Sequence, residues 1–203
     1  MLQINDLCKS FDDKCLFNNF NLSVDDGEFV VFKGESGCGK TTLLHMIGGL
    51  EKPDSGTILF NGNIINDRKY VQEYLKNEVG FLFQNFALIE RKNVYDNLNI
   101  VKKQIRSQYS IDEVLEYVGL SEKKYTEVYK LSGGEQQRIA LARLMLKKCS
   151  IILADEPTGS LDSKNAERVI EILSDFNKNG KTIIMVTHSD IVDFKKVRLV
   201  SLE

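Results

Sequence analysis

The chain has 203 residues, of which 42% are hydrophobic and 28% are charged, and its formal net charge is −2. These values predict one globular domain, or one core that carries a subdomain, with enough apolar residues to bury a sizeable core. The balanced charge argues against a broad nucleic-acid surface. Four cysteines without a C-x-x-C pair, beside two histidines, argue against a zinc site and favour reduced thiols.

The sequence lacks the patterns that would place it in a membrane by itself. Its first residues are polar and acidic, unlike a signal peptide. No apolar run approaches the ~20 residues that a bilayer-spanning helix needs. We therefore expect any role at a membrane to depend on a partner chain.

The first part of the sequence predicts short strands around a glycine-rich segment. Asp25, Asp26 and Gly27 form a turn signal between two of these strands. A helix is predicted from Lys40 to about Gly49, directly after the glycine-rich segment. The predicted strands cover residues 2–5, 20–24, 29–32, 57–60 and 79–83, with a loop at 53–56 and a turn at 61–62.

The character of the sequence changes over about 85–149, where helical spacing dominates and strand patterns are absent. Beyond it, apolar runs at 150–154 and 182–186 predict buried strands on either side of an amphipathic helix at 163–177. A last strand is predicted at 197–202. Strands and helices thus alternate on both sides of a helical insert, which predicts an α/β core with an all-helical subdomain.

The segment 34–41, GESGCGKT, fits the phosphate-loop pattern G-x-x-x-x-G-K-[ST], with a predicted strand before it and a predicted helix after it. Glycines let the backbone curl so that N–H groups point at phosphate oxygens, and the helix adds its positive N-terminal end. Lys40 is predicted to reach the β- and γ-phosphates and Thr41 to hold Mg²⁺. The alternative is a glycine-rich turn before a helix. The predicted nucleotide ligands are Gly34, Ser36, Gly37, Cys38, Gly39, Lys40, Thr41 and Thr42.

Two carboxylates, Asp155 and Glu156, end the apolar run at 151–154. Ligands of a parallel sheet bind beyond the carboxyl ends of its strands. Asp155 is therefore predicted to hold Mg²⁺, and Glu156 to polarise the attacking water. Neighbouring strand residues point to opposite faces, which would let the two carboxylates take different roles. The alternative is a solvated strand end, and the phosphate loop favours the functional interpretation.

The segment 131–135, LSGGE, separates this chain from other phosphate-loop enzymes, because here it resembles the ABC ATPase family, whose signature is LSGGQ-like. Ser132 and Glu135 also form an S-x-x-E capping box for a helix that runs to about Lys148, and both interpretations can hold. In the family this segment binds the γ-phosphate of ATP held by the opposite subunit. The resemblance implies this role for Ser132, Gly133, Gly134 and Glu135, with Glu135 in place of the usual Gln.

The resemblance implies three further residues of the hydrolytic site. Gln84 is similar to the glutamine that contacts Mg²⁺ and the attacking water. His188 is similar to the switch histidine that bonds the γ-phosphate, and Asp162, in the run 160–162, is similar to the dimer-contact aspartate. For His188 the alternative is a strand-end position near a T-x-x-D cap that ends at Asp190.

The resemblance implies a role for Phe11 but none for His45. Phe11 stands where the family has an aromatic residue, usually Tyr, that stacks on adenine. A lone Phe would ordinarily be a core or surface residue. His45 matches no family landmark and is predicted to be structural.

The resemblance implies an α/β fold with a P-loop NTPase (RecA-like) core, an N-terminal antiparallel β-subdomain and an inserted all-helical signature subdomain. A single ABC ATPase domain would span 1–203. Its core and β-subdomain would lie in 1–84 and 150–203, and its helical subdomain in 85–149.

It also implies an ATP-hydrolysing subunit that uses ATP and Mg²⁺, forms a head-to-tail ATP-sandwich dimer and drives a separate-chain permease from the cytoplasmic face of the cell membrane. The runs EPTGSLD at 156–162 and LLHMIGGL at 43–50 are similar to those of macrolide-export, lipoprotein-release and bacteriocin-export ATPases. Phe86, Leu88 and Ile89 are candidates to line a groove for the permease, with core packing as the alternative.

Other classes of protein remain as alternatives. A soluble ABC-family ATPase that acts on the ribosome or DNA usually carries two cassettes, a long coiled coil or basic extensions, and none is visible. A non-catalytic module is disfavoured by the intact Lys40, Asp155, Glu156 and His188. A small GTPase or nucleotide kinase would leave 131–135 unexplained, and no N-K-x-D motif is present.

Overall fold

The computed structural model describes residues 1–12, 14–67, 69–159, 161–188 and 197–202. Within those ranges, no helix combines the length and the apolar character that crossing a bilayer requires. The elements follow in the order β1 (Leu2–Phe11), β2 (Lys14–Val24), β3 (Phe29–Lys33), α1 (Lys40–Ile47), β4 (Ser55–Phe60), β5 (Asn63–Ile64), α2 (Val71–Asn77), β6 (Val79–Leu82), α3 (Val94–Asn99), α4 (Ile111–Tyr117), α5 (Gly133–Leu146), β7 (Ile151–Asp155), α6 (Ser163–Lys178), β8 (Thr182–Val186) and β9 (Arg198–Ser201).

An antiparallel sheet in the order β2-β1-β4-β5 contains the N-terminal hairpin. β1 and β2 extend well beyond the predicted strands at 2–5 and 20–24, so those boundaries are wrong. Polar and hydrophobic residues are equally frequent among the additional strand residues, at 6–11 and 14–19. Asp6 and Asn19 adopt left-handed backbone conformations (φ 48° and 53°), and the β1–β2 ladder shifts register near them. These shifts interrupt the alternation of buried and exposed side chains from which a strand is recognised.

A parallel sheet in the order β6-β7-β8-β3-β9 forms the centre of the molecule. β7 and β8 are buried at every residue, as expected for strands that are covered on both faces. The buried strands predicted at 150–154 and 182–186 are confirmed, with β7 displaced by one residue toward its carboxyl end.

Two hydrophobic clusters cover the two faces of this central sheet. Val31 and Ile152 belong to the cluster that includes residues of α3, α4, α5 and α6. Phe32 and Leu153 belong to the cluster that includes residues of α1 and β1. Because neighbouring strand residues point to opposite faces, the parallel sheet lies between the helical segment and the layer formed by α1 and the antiparallel sheet.

The helices after the central strands match most of the sequence-based expectations. α6 lies close to the predicted range, α5 ends at Leu146 and α1 ends at Ile47, two residues before the predicted ends. The segment 85–149 forms helices, short 3₁₀ turns and isolated bridges. α2 was not predicted, because it has seven residues and buries only Tyr74.

Candidate functional site

The carboxyl ends of four neighbouring parallel strands bring the predicted catalytic residues to one edge of the sheet. β6 ends two residues before Gln84, β7 ends at Asp155, β8 ends two residues before His188, and β3 leads into the glycine-rich loop that precedes Lys40. Since all these strands are parallel and adjacent, their carboxyl ends meet at the same edge, where such sheets bind ligands.

The glycine-rich loop wraps around the ammonium group of Lys40. Its Nζ donates hydrogen bonds to the backbone carbonyls of Gly34 (2.8 Å) and Glu35 (2.6 Å), and the side chain is only 6% exposed. Gly39 has φ +101°, which a residue with a side chain rarely adopts, and it is the residue directly before α1. The loop therefore places a buried cation and a helix N-terminus together, which suits a polyphosphate.

Two oxygen-bearing side chains meet beside this loop. The Thr41 hydroxyl donates to Asp155 Oδ1 at 3.0 Å, and Asp155 is 8% exposed. Hydroxyl and carboxylate oxygens are the donors that Mg²⁺ takes, usually together with substrate phosphates and water. No cluster of three or more His, Cys, Asp or Glu residues suitable for a metal occurs in the described part of the chain. The donor set thus fits Mg²⁺ that shares its coordination with a nucleotide.

Glu156 and His188 form a second pair at the same edge. The His188 backbone N–H donates to Glu156 Oε2 at 3.2 Å, and His188 Nε2 lies 3.3 Å from Glu156 Oε1. Glu156 lies after the last residue of β7 and has a left-handed φ of 42°. The proposed alternation along a strand is therefore the wrong reason for the different directions of Asp155 and Glu156. A backbone turn at Glu156 separates them.

A cavity of about 530 Å³ joins most of these groups. The predicted ligands Gly34, Cys38 and Asp155 do not line this cavity. Position 34 requires glycine for another reason, because a Cβ there would stand 2.3 Å from the carbonyl oxygen of Leu202. Three lining residues were not predicted from the sequence: Leu16 on β2, Gly159 and Val186 at the end of β8. The lining residues are Leu16, Ser36, Gly37, Gly39, Lys40, Thr41, Thr42, Gln84, Glu156, Gly159, Val186 and His188.

Phe11 lies at the tip of the β1–β2 hairpin, outside the cavity lining, and is 48% exposed. The ammonium of Lys9 lies 4.7 Å from the centroid of its ring. Across the hairpin, Lys14 donates a hydrogen bond to the carbonyl of Gly37 at 2.8 Å. The hairpin tip thus contacts the phosphate loop and leaves the Phe11 ring accessible.

The LSGGE segment forms the predicted capping box at the start of α5. The Ser132 N–H donates to Glu135 Oε2 at 2.8 Å, and the Glu135 N–H donates to Ser132 Oγ at 3.3 Å. The bond from the Ser132 backbone holds the pKa of Glu135 below its usual value. Ser132 and Gly133 are exposed, and neither lines the cavity that contains Lys40.

The two signature glycines have different surroundings. A Cβ on Gly134 would stand 2.5 Å from Asn165 Cγ of α6, so close packing within the chain requires this glycine. A Cβ on Gly133 would meet nothing within 4 Å, and Gly133 is not among the residues with positive φ. Nothing in the described part of the chain therefore requires glycine at 133.

Asp162 caps the N-terminus of α6. Its two carboxylate oxygens accept hydrogen bonds from the backbone N–H of Asn165 (2.9 Å) and from Asn165 Nδ2 (2.6 Å), and the backbone bond lowers the pKa of Asp162. The neighbouring Ser160, and Asp190 of the alternative cap beside His188, lie outside the described residues.

His45 and the groove candidates are the remaining residues near Gln84 for which the sequence made a prediction. His45, predicted to be structural, lines a cavity of about 460 Å³ with Gln84 and Asp155 among others. Among the groove candidates, Phe86 and Leu88 are half-buried against the core, whereas Ile89 is 45% exposed.

Comparisons with known proteins agree with this geometry. A family model described as "ABC transporter" matches residues 17–159. The chain is 39% identical to the uncharacterized ABC transporter ATP-binding protein YvrO of Bacillus subtilis, over 98% of this chain and 92% of that relative. It is 36% identical to the macrolide export ATP-binding/permease protein MacB of Campylobacter jejuni, where it matches along 100% of its own length but spans 33% of the relative.

A solved structure of an ATP-binding cassette is also similar to this chain. The dimeric structure of a post-hydrolysis state of the ATP-binding cassette MJ0796, bound to ADP and Pi, is similar with a TM-score of 0.85 and 32% identity. This similarity covers 100% of this chain and 94% of that chain.

Proposed function

Since the chain belongs to the ABC transporter family and is an ATP hydrolase, we propose that it works as a head-to-tail dimer whose ATP hydrolysis drives a separate membrane permease. The observation that carries the proposal is the convergence of Lys40, the Thr41–Asp155 pair and the Glu156–His188 pair at one edge of the sheet. This combination supplies phosphate binding, metal ligands and a base in one place.

The side chains divide the work of hydrolysis between them. Lys40 and the loop amides bind the β- and γ-phosphates and stabilise the charge that develops on them. Thr41, Asp155 and Gln84 would hold Mg²⁺, which supplies further charge neutralisation when bound. Glu156 accepts a proton from water while the water oxygen attacks the γ-phosphorus and the bond to ADP breaks. His188, hydrogen-bonded to Glu156, keeps that carboxylate in place.

A second copy is proposed to complete each site. Ser132 and Gly133 are exposed and do not line the cavity of their own chain. The open space around Gly133 supports the proposal, because a glycine that the described residues do not require is suited to close approach by a molecule from outside. The capped helix start is also an anion site. We therefore assign Ser132, Gly133, Gly134 and Glu135 to the γ-phosphate side of the partner's ATP, and Asp162 to the dimer contact.

The membrane partner is proposed to be a few-span permease of export type, reached from the cytoplasmic face. The names of the MacB relatives support this class, and those relatives are about three times as long as this chain. The exposed Ile89, beyond Gln84, is proposed to face the permease. The alternative of a soluble ABC ATPase acting on the ribosome or DNA is not favoured by these relatives.

The Glu156→Gln variant tests the dimer. Removing the base should abolish turnover while leaving ATP binding intact, so that nucleotide holds two copies together. We expect light scattering after size exclusion to show a dimer with ATP and Mg²⁺ and a monomer without nucleotide. The matched control is Glu167→Gln on the exposed side of α6, which should keep its activity. An inactive Glu156→Gln variant that stays monomeric at saturating ATP would contradict the shared site.

A further inference from the structure

The segment after Gln84 has an unusual backbone. Phe86 and Ala87 both have positive φ angles (61° and 47°), although neither is glycine. The Ala87 N–H donates to the carbonyl of Asn85 at 2.7 Å, which closes a three-residue turn around Phe86. A turn of this size with positive φ at its centre is the rarer and strained form of γ-turn. Two successive residues in this region cost free energy that other contacts must offset.

Arg143 of α5 makes those contacts. Its Nη1 donates to the carbonyl of Ala87 at 2.6 Å and its Nη2 to the carbonyl of Phe86 at 2.9 Å. Among the described residues no carboxylate lies within ion-pair distance of Arg143, and burial lowers the pKa of its guanidinium. The guanidinium is therefore committed to two backbone carbonyls of one strained turn, a geometry that its planar fork fits and a lysine does not.

We propose that Arg143 is a positioning residue that holds Phe86 and Ala87 in their left-handed conformation and so presents Gln84 to the nucleotide cavity. The proposal rests on the role of Gln84 given above. Backbone strain is concentrated at functional sites, and here it lies two residues from a side chain that lines the cavity.

The hydrogen bonds of Arg143 also connect the strained turn to helix α5. Arg143 lies on the same helix that begins with the Ser132 cap. Gln137, also on α5, donates to the carbonyl of Pro157 at 2.7 Å, directly after Glu156. One helix thus connects the segment assigned to the partner's ATP with the loops that follow both Gln84 and Glu156. A displacement of α5 would reach both loops through hydrogen bonds.

Arg143→Met tests the proposal by removing both hydrogen bonds while keeping a long side chain. We expect hydrogen exchange of the amides of Phe86 and Ala87 to accelerate at least about ten-fold in the nucleotide-free chain. We expect kcat to fall about 10- to 100-fold with KM changed less than about two-fold, because misplacement affects the reacting geometry more than binding. Arg143→Gln keeps one amide donor, so its exchange rates and its kcat should lie between those of Arg143→Met and those of the wild type.

A second substitution separates positioning from general loss of packing. Glycine adopts positive φ without strain, so Ala87→Gly in the Arg143→Met chain should recover about five-fold in kcat. The control is Asn61→Gly in the same background. Asn61 also has a positive φ (49°) but lies in the turn between β4 and β5, so it should recover nothing.

Failure of this inference can be told apart from failure of the proposed function by a Gln84→Ala variant. If that variant loses kcat while Arg143→Met and Arg143→Gln keep wild-type exchange and kcat, Arg143 does not position Gln84. If Ala87→Gly and Asn61→Gly restore kcat equally in the Arg143→Met chain, or if neither restores it, Arg143 does not act through the strained turn. An unchanged kcat in Gln84→Ala would instead remove the role of Gln84 on which the inference rests. Should Arg143→Met not fold, Arg143→Gln decides by the same two measurements.

Discussion

Lys40 shows how a single charge is prepared for a ligand. Its ammonium is enclosed by its own loop and donates hydrogen bonds to the carbonyls of Gly34 and Glu35. Those carbonyls are neutral acceptors, and a phosphate oxygen is a stronger one because it is charged. The side chain is thus held at the mouth of the loop without an ion pair that a nucleotide would have to break, since the structure records none for Lys40 in the described residues.

Lys40→Ala should therefore weaken ATP binding strongly. A charge-assisted hydrogen bond contributes about 1.5–3 kcal/mol, so the loss should raise the Kd for ATP about 10- to 100-fold. Isothermal titration calorimetry with ATP and Mg²⁺ checks this. The matched control is Lys164→Ala, an exposed lysine near the start of α6. Equal affinities of the two variants would mean that Lys40 does not contact the phosphates.

The sequence predicts the candidate site residues whose chemistry is tied to a motif, and it gives no signal for those proposed to act through geometry. Lys40, Thr41 and Glu156 follow from spacing and strand position, because few residue types perform their tasks. Arg143 has no such signal: an arginine in a helix is ordinary, and only the φ angles of Phe86 and Ala87 reveal what it holds. Those angles depend on tertiary contacts that no local pattern encodes.

At the scale of elements, the N-terminus of α5 makes the sharpest distinction between packing and function. Gly134 is required inside the chain by Asn165, whereas no atom of the described residues would lie within 4 Å of a Cβ on Gly133. Gly133→Ala should leave the free energy of unfolding unchanged or raise it by up to about 1 kcal/mol, because alanine is the better helix former. Gly134→Ala should lower it by about 1–3 kcal/mol, because Asn165 must move.

The Gly133→Ala substitution should instead weaken the ATP-dependent dimer. In the Glu156→Gln background, Gly133→Ala is expected to reduce the ATP-dependent dimer fraction although the single chain is fully stable. Urea unfolding measures the first property and light scattering the second. A Gly133→Ala chain that dimerises as well as its parent would show that nothing approaches this residue closely.

The elements themselves were predictable to different degrees, for physical reasons. Family membership and the two sheets confirm the expected α/β fold with a P-loop core. β7 and β8 were recognisable because central parallel strands are apolar along their whole length. The outer half of the β1–β2 hairpin was not, because left-handed residues and register shifts interrupt the alternation of buried and exposed side chains there. α2 is short and has one buried side chain, so its amphipathic signal is too weak to detect.

At the scale of the whole molecule, the proposed dimer divides each nucleotide site into two half-sites, the cavity beside Lys40 and the start of α5, which do not meet in one chain. The cavity beside Lys40 contains no residue of 131–135, and the capped start of α5 is exposed. Two copies related by a two-fold axis would contact each other through both half-sites at once, which is the closed arrangement expected of a symmetric dimer. Binding free energy for nucleotide then becomes association free energy, and separation of the copies follows loss of the γ-phosphate.

This arrangement predicts that two inactive chains can complement each other. Lys40→Ala weakens phosphate binding and removes the charge that stabilises the transferred phosphate, and Gly133→Asp places a negative charge where the partner's γ-phosphate is expected. The aspartate should not destabilise the single chain, since its side chain enters open space and a carboxylate in the first turn is favourable to a helix. In an equal mixture half of the dimers are mixed, and each holds one intact site of two. ATPase activity should therefore reach about a quarter of the wild-type value. Activity no higher than that of the separate variants would show that Gly133 does not complete the site of another copy.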